Sequence, residues 1–117
     1  MELKISSRSQ GCHTLVAVRG EIDLYTAPLL HGELVDMLDD GAARLVVDMS
    51  GVEFCDSTGL SVLLSAMERA RERGGDLELA APRSAVVKIL EITGLDAVFA
   101  VCESADVMED AIIGAAK

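Results

Sequence analysis

The sequence predicts an α/β fold: a mostly parallel sheet built from repeated βα units, with one extra strand at the N-terminus. Three observations carry this. Short runs of branched aliphatics alternate with longer stretches of helical periodicity from His13 onward. The first two runs, "LKISSRS" and "HTLVAVRG", are separated only by "QGC", which suits a hairpin. The length of 117 residues allows one compact domain with a real core and is too short for two, so the expected domain spans 1–117.

The elements follow in order. Residues 3–9 and 13–20 read as antiparallel strands joined at the Gln-Gly pair, with Leu15, Ala17 and Arg19 alternating with Val16 and Val18. Thr26 is a good N-cap and Pro28 suits a first helical turn, so a helix begins near Ala27. Leu30, Leu34, Met37 and Leu38 give it an apolar face, and Gly41 stops it. "RLVVDM" (44–49) is a strand. A helix from about Ser57 to Arg73 buries the stripe Leu60, Leu63, Leu64, Met67 and Ala70. Its last turns carry Arg69, Arg71 and Arg73, where cations favour the negative end of the dipole. "DLELAA" (76–81) is a strand, "SAVVKILEITG" (84–94) a helix opened by Ser84 and closed by Gly94, and "AVFAVC" (97–102) a strand. A last helix, capped by Ser104, turns Val107, Met108, Ala111 and Ile112 inward. The order is β-β-α-β-α-β-α-β-α, and single helices between strands imply parallel neighbours joined by right-handed crossovers.

Composition narrows the function. Ten basic and twenty acidic residues leave a formal charge of −10, which repels nucleic acid and anionic lipid and favours protein partners with basic faces. No run approaches the ~18 apolar residues of a membrane span. "MELKISSRSQ" has no apolar h-region, so no signal peptide is expected and the expected location is cytoplasmic. Cys12, Cys55 and Cys102 lack metal-ligand spacing and read as reduced, buried thiols.

The chemistry-bearing stretch is "VEFCDSTGL", where a strand hands over to a helix. A serine hydrolase would need G-x-S-x-G, but Cys55 stands where the first glycine belongs. The two histidines, His13 and His31, read as ordinary edge or surface residues. The P-loop pattern is absent, and no lysine follows to neutralise phosphate. A phosphoacceptor aspartate at Asp48 would need an early acidic pair for Mg²⁺ and a late lysine, and residues 13–20 and 97–102 supply neither. Helix capping by Asp56 or Ser57, worth about 1 kcal/mol, explains the stretch without any chemistry.

Three motifs go further. "VVDMSGVEFCDSTGLSVLL" closely resembles the central motif of the anti-sigma factor antagonists, small single-domain STAS proteins of bacteria. "GEIDLYTAPLL" resembles the family's G-E-[IL]-D-x-x-[TS]-A, and "ITGLDAVF" is similar to its [IM]-x-G-L-x-x-[VIL]-F. The likeness implies the STAS fold, with four βα units wound into a superhelix plus an N-terminal strand. It implies a protein switch and not an enzyme, with no cofactor, no metal, no direct nucleic-acid contact and no membrane. In such a switch the unphosphorylated antagonist binds an anti-sigma factor that is itself a serine kinase, and the sigma factor is released. Phosphorylation on the serine after the motif's aspartate ends binding, and a Mn²⁺- or Mg²⁺-dependent serine phosphatase restores it. That serine maps onto Ser57, with Thr58 as the rival acceptor. Asp23, Asp56, Ser57, Thr58 and Gly59 become the expected partner-binding residues. Gly59 is expected to leave room for a kinase cleft, and Asp23 either to position the acceptor or merely to cap its loop. Cys55 stands where Met or Leu is common in the family and is expected to pack as a small apolar group, with thiol modification open. The alternative is a STAS scaffold or transporter-associated module that is never phosphorylated.

Overall fold

A computed structural model of the chain describes residues 2–11 and 13–102. The expected helix from Ser104 and the packing of Cys12 lie outside these residues. Strand β1 (Leu3–Gln10) is followed by β2 (His13–Ile22), helix α1 (Ala27–Asp39), β3 (Arg44–Cys55) and α2 (Ser57–Glu72). Then come β4 (Asp76–Ala80), α3 (Ser84–Thr93), a 3₁₀ turn (Leu95–Ala97) and β5 (Ala100–Cys102). Strand order in the sheet is β1-β2-β3-β4-β5. The first pair is antiparallel and the other three are parallel, as the hairpin and the crossovers predict.

A right-handed crossover between sequential parallel neighbours puts each helix on the same side of the sheet. One hydrophobic core results. It joins Leu30, Leu34 and Leu38 of α1, Leu60, Leu63 and Met67 of α2, and Val86 and Leu90 of α3 to the inward residues of the strands. Val46 and Ala80 lie on the opposite face with Leu15 packed against them.

Four details differ from expectation. Strand β3 continues to Cys55 instead of ending at residue 49. Two irregularities in its pairing with β2, between Ala17 and Arg19 and between Gly20 and Glu21, break the alternation that marks a strand in sequence. Val52 and Cys55 consequently face the core while Glu53 and Phe54 face outward. The last strand begins at Ala100, because "GLDAVF" closes into a 3₁₀ turn that drives Phe99 into the core. Ser84 does not cap α3; Arg83 holds the N-cap position without a side-chain bond to the helix. His13 is buried rather than at the surface. Gly94 does end α3, at φ 76°, a left-handed conformation that glycine adopts without steric cost.

The stripe of α2 holds, with Leu64 packed at its edge. Leu63 is fully buried, whereas Leu64 is half-buried and Ala66 takes the inward place. Leu63→Ala should therefore cost about 2–5 kcal/mol in a urea titration. Leu64→Ala should cost clearly less, and equal losses would place both on the core face.

Candidate functional site

Parallel strands β2 and β3 end side by side, with Ile22 opposite Cys55. The loops that leave them, one to α1 and one to α2, therefore lie next to each other. Asp56 joins them, its N–H donating to the Ile22 carbonyl at 3.1 Å.

Asp56 is the N-cap of α2, with an extended backbone (φ −93°, ψ −174°). Its carboxylate accepts the Gly59 N–H at 3.1 Å, and its carbonyl accepts the Leu60 N–H, also at 3.1 Å. Capping by the acid leaves Ser57, the first helical residue, exposed to solvent with no part in the cap. The Ser57 carbonyl accepts the Ser61 hydroxyl at 2.9 Å. Thr58 is half-buried. By helix geometry the N–H groups of Ser57 and Thr58 have no carbonyl to bond within α2, so this end favours an anion.

Gly59 faces inward, not toward an incoming partner. A Cβ there would lie 2.5 Å from Ile22 Cγ2 and 2.7 Å from Cys55 Sγ. The missing side chain lets α2 start against the strand ends. Cys55 packs as the small apolar group expected, and burial, with Asp56 beside it, pushes its thiol up to about 12.

Asp23 lies in the loop after β2 and is only 7% exposed. Its Oδ1 accepts the N–H groups of Tyr25 (2.9 Å) and Thr26 (3.0 Å), while Oδ2 is buried without a partner. The hydrogen bond from Thr26 N–H, followed by that from Tyr25, outweighs burial and holds the carboxyl below its usual value. Thr26 occupies the N-cap position of α1, but its hydroxyl turns back. It accepts the Asp23 N–H at 2.9 Å and donates to the Glu21 carbonyl at 2.7 Å. Asp23 and Thr26 thus clamp one turn between them, and that turn holds Leu24 and Tyr25 out in solvent.

The sequence reading missed these exposed apolar residues, together with Leu29 and Phe54. Leu29 lies off the stripe of Leu30, Leu34 and Leu38 and was visible as such. The outward turn of Phe54 depends on the irregular β3 pairing, which leaves no sequence period.

His13 opens β2, and a strand of ten residues places it about 30 Å from the end that carries Ser57. Among the described residues no cluster of three or more His, Cys, Asp or Glu could hold a metal ion. Nor, among these residues, is any helix long and apolar enough to cross a membrane.

The family model described as "Mlab, STAS domain" matches residues 5–103. An anti-sigma-B factor antagonist of Bacillus subtilis (strain 168) is 32% identical over 95 residues, covering 81% of this chain and 86% of that protein. Among solved structures, an anti-sigma factor antagonist from Mycobacterium paratuberculosis aligns with a TM-score of 0.84 at 29% identity, over 99% of this chain and 96% of the other. SpoIIAA in its unphosphorylated form shares the fold, with a TM-score of 0.80 at 18% identity over 95% of this chain and 97% of that one.

Three outcomes follow from this packing. Gly59→Ala should destabilise the protein by about 1–3 kcal/mol, because Ile22 and Cys55 have to shift, and thermal melting would measure the loss. Cys55, with its thiol raised to about 12, should react with iodoacetamide at pH 8 at least about 100-fold more slowly than glutathione, by peptide mapping. The folded state keeps that proton longer than the unfolded chain does. Stability should accordingly fall as pH rises from the ordinary value of 9.0 toward 12.

Proposed function

The chain belongs to the STAS domain family, and on that premise we propose that it is an anti-sigma factor antagonist switched by phosphorylation of Ser57. In the unphosphorylated state it binds an anti-sigma factor with serine kinase activity and releases the sigma factor. The kinase ends this by phosphorylating Ser57, and a serine phosphatase reverses it. The cytoplasm, where sigma factors act, is the place for such a switch.

One observation carries the reading. Asp56 makes the helix cap, so the adjacent Ser57 hydroxyl stands exposed at the start of α2 with no structural duty. A kinase can take that hydroxyl without unfolding anything. The half-buried Thr58 is the poorer acceptor.

Phosphate would add about −1.5 to −2 charges at pH 7. The α2 N-terminus favours an anion by roughly 0.3–1 kcal/mol, and repulsion from Asp56 opposes it on a similar scale, screened by solvent. The fold therefore tolerates the modification. The interface does not, because burying the phosphate against a partner without a paired cation costs several kcal/mol. The switch acts on the surface, and the buried residues Leu60, Leu63 and Met67 hold α2 in both states.

The test is incubation with ATP and candidate anti-sigma kinases, read by fragment-ion mass spectrometry and calorimetric titration. A single phosphate is expected on Ser57, none on Ser57→Ala, and affinity for the anti-sigma factor about 10²-fold lower or more after labelling. Ser57→Asp should weaken binding in the same direction but by less. Label on Thr58 alone, or equal affinity before and after labelling, would overturn the reading.

A further inference from the structure

The core side of the sheet changes character at the end opposite Ser57. Strand β1 turns Leu3 and Ile5 toward the core, and by alternation Ser7 and Ser9 share that face. They stand opposite Val16 and Thr14 of β2. A cavity of about 440 Å³ is lined by Ser7, Ser9 and Thr14 on the strand side and by Met37 and Asp40 at the end of α1. That volume suits a small organic ligand.

Each polar group in this wall can accept a hydrogen bond. The hydroxyls of Ser7, Ser9 and Thr14 have no partner among the described residues. His13, also in the wall, is 4% exposed, and neither ring nitrogen has a partner. Buried polar groups are nearly always bonded, so this imidazole calls for a donor from a ligand or from a water that the ligand holds. Asp40 is the C-cap of α1, where the helix dipole is negative and favours a cation. The last turn holds no basic residue. Its neighbour Asp39 pairs with Arg73 at 2.7 Å, whereas Asp40 has no ion pair among the described residues and no Lys or Arg lines the cavity.

We propose that this cavity binds an organic cation, the ammonium or guanidinium head of an alkylamine. Asp40 offsets the charge, the hydroxyls accept the N–H groups, and Met37 lies along the alkyl stem. A metal ion fits less well, because a hard divalent cation takes several charged oxygens and the wall offers one carboxylate. An anion would meet Asp40 and the negative end of α1. The head can arrive on a free amine or on a Lys or Arg side chain of a partner protein, and the chemistry is the same. The cavity lies about 30 Å from Ser57, so the inference stands apart from the switch.

The test titrates the isotope-labelled protein with agmatine and follows backbone amide signals, with butanol as the neutral control. Signals of Ser7, Ser9, Asp40 and Gly41 should move and saturate with agmatine and stay in place with butanol. Asp40→Asn should weaken agmatine about tenfold or more, the scale of a lost hydrogen bond to a charged group. Asp36→Asn removes the same charge one turn earlier, outside the cavity, and should change affinity less than twofold. Asp40→Asn should melt no lower than the wild type, since an acid at that helix end does not stabilise it. A short capped peptide with one lysine among glycines is titrated beside agmatine, with its acetyl-lysine form as control. Tighter binding by the lysine peptide would assign the head to a partner protein, and tighter binding by agmatine to a free amine. Absence of saturable shifts with both, equal agmatine affinity in Asp40→Asn, or a lower melting temperature for that variant would overturn the proposal.

Discussion

Where a parallel strand becomes a helix, the backbone must exchange one set of hydrogen bonds for another within a few residues. In this chain Asp56 makes that exchange. Its N–H closes the ladder on the Ile22 carbonyl, its carbonyl opens α2 by accepting from Leu60, and its carboxylate takes the Gly59 N–H. Buried backbone groups left without partners would each cost about 1–3 kcal/mol, so three bonds on one residue fix the junction. The absent side chain of Gly59 then lets the helix seat against Ile22 and Cys55. Everything proposed for Ser57 depends on this arrangement, since a serine that had to cap the helix could not also be presented to a kinase.

The neighbouring turn uses the same chemistry for another purpose. Asp23 and Thr26 satisfy each other's backbone and side-chain groups, and their product is a fixed shape for two residues that the core rejects. Of the two acids, Asp23 is buried and serves the fold, while the half-buried Asp56 serves both fold and surface charge. At the far end of α2, Arg71 pairs with Asp76 at 2.9 Å and Arg73 with Asp39 at 2.7 Å. These pairs are substantially exposed, and each is worth no more than about 1 kcal/mol. The helix is held by Leu60, Leu63 and Met67 and merely trimmed at its basic end.

Much of this was legible in the residues. Helical spacing located α1, α2 and α3, Gly94 marked the end of α3, and the three-residue gap "QGC" announced the hairpin. What stayed hidden has a common cause, the intervention of distant partners. The second half of β3 has no regular alternation because its register against β2 shifts twice. Leu64 fits the α2 stripe by spacing and packs at its edge, but how deep each position sinks is set by the sheet. The acid-serine pair at residues 56 and 57 was conspicuous, yet which of the two caps the helix required coordinates. Gly59 likewise looked like an opening to solvent until Ile22 and Cys55 were placed behind it.

Strand order that follows chain order has a consequence for how the protein comes into being. Among the described residues each strand pairs only with the strand made just before or just after it, so none of these strands waits for a distant partner to be synthesised. On the ribosome the β1–β2 hairpin can form first, and each later βα unit can settle onto a finished edge as it emerges. Short loop closures also keep the entropic toll of pairing low for a largely parallel sheet. The end that carries Ser57 is complete once α2 has docked, before β4 and β5 exist. Assembly can thus run in one direction, with the end that carries Ser57 shaped while the other half of the sheet is still being translated.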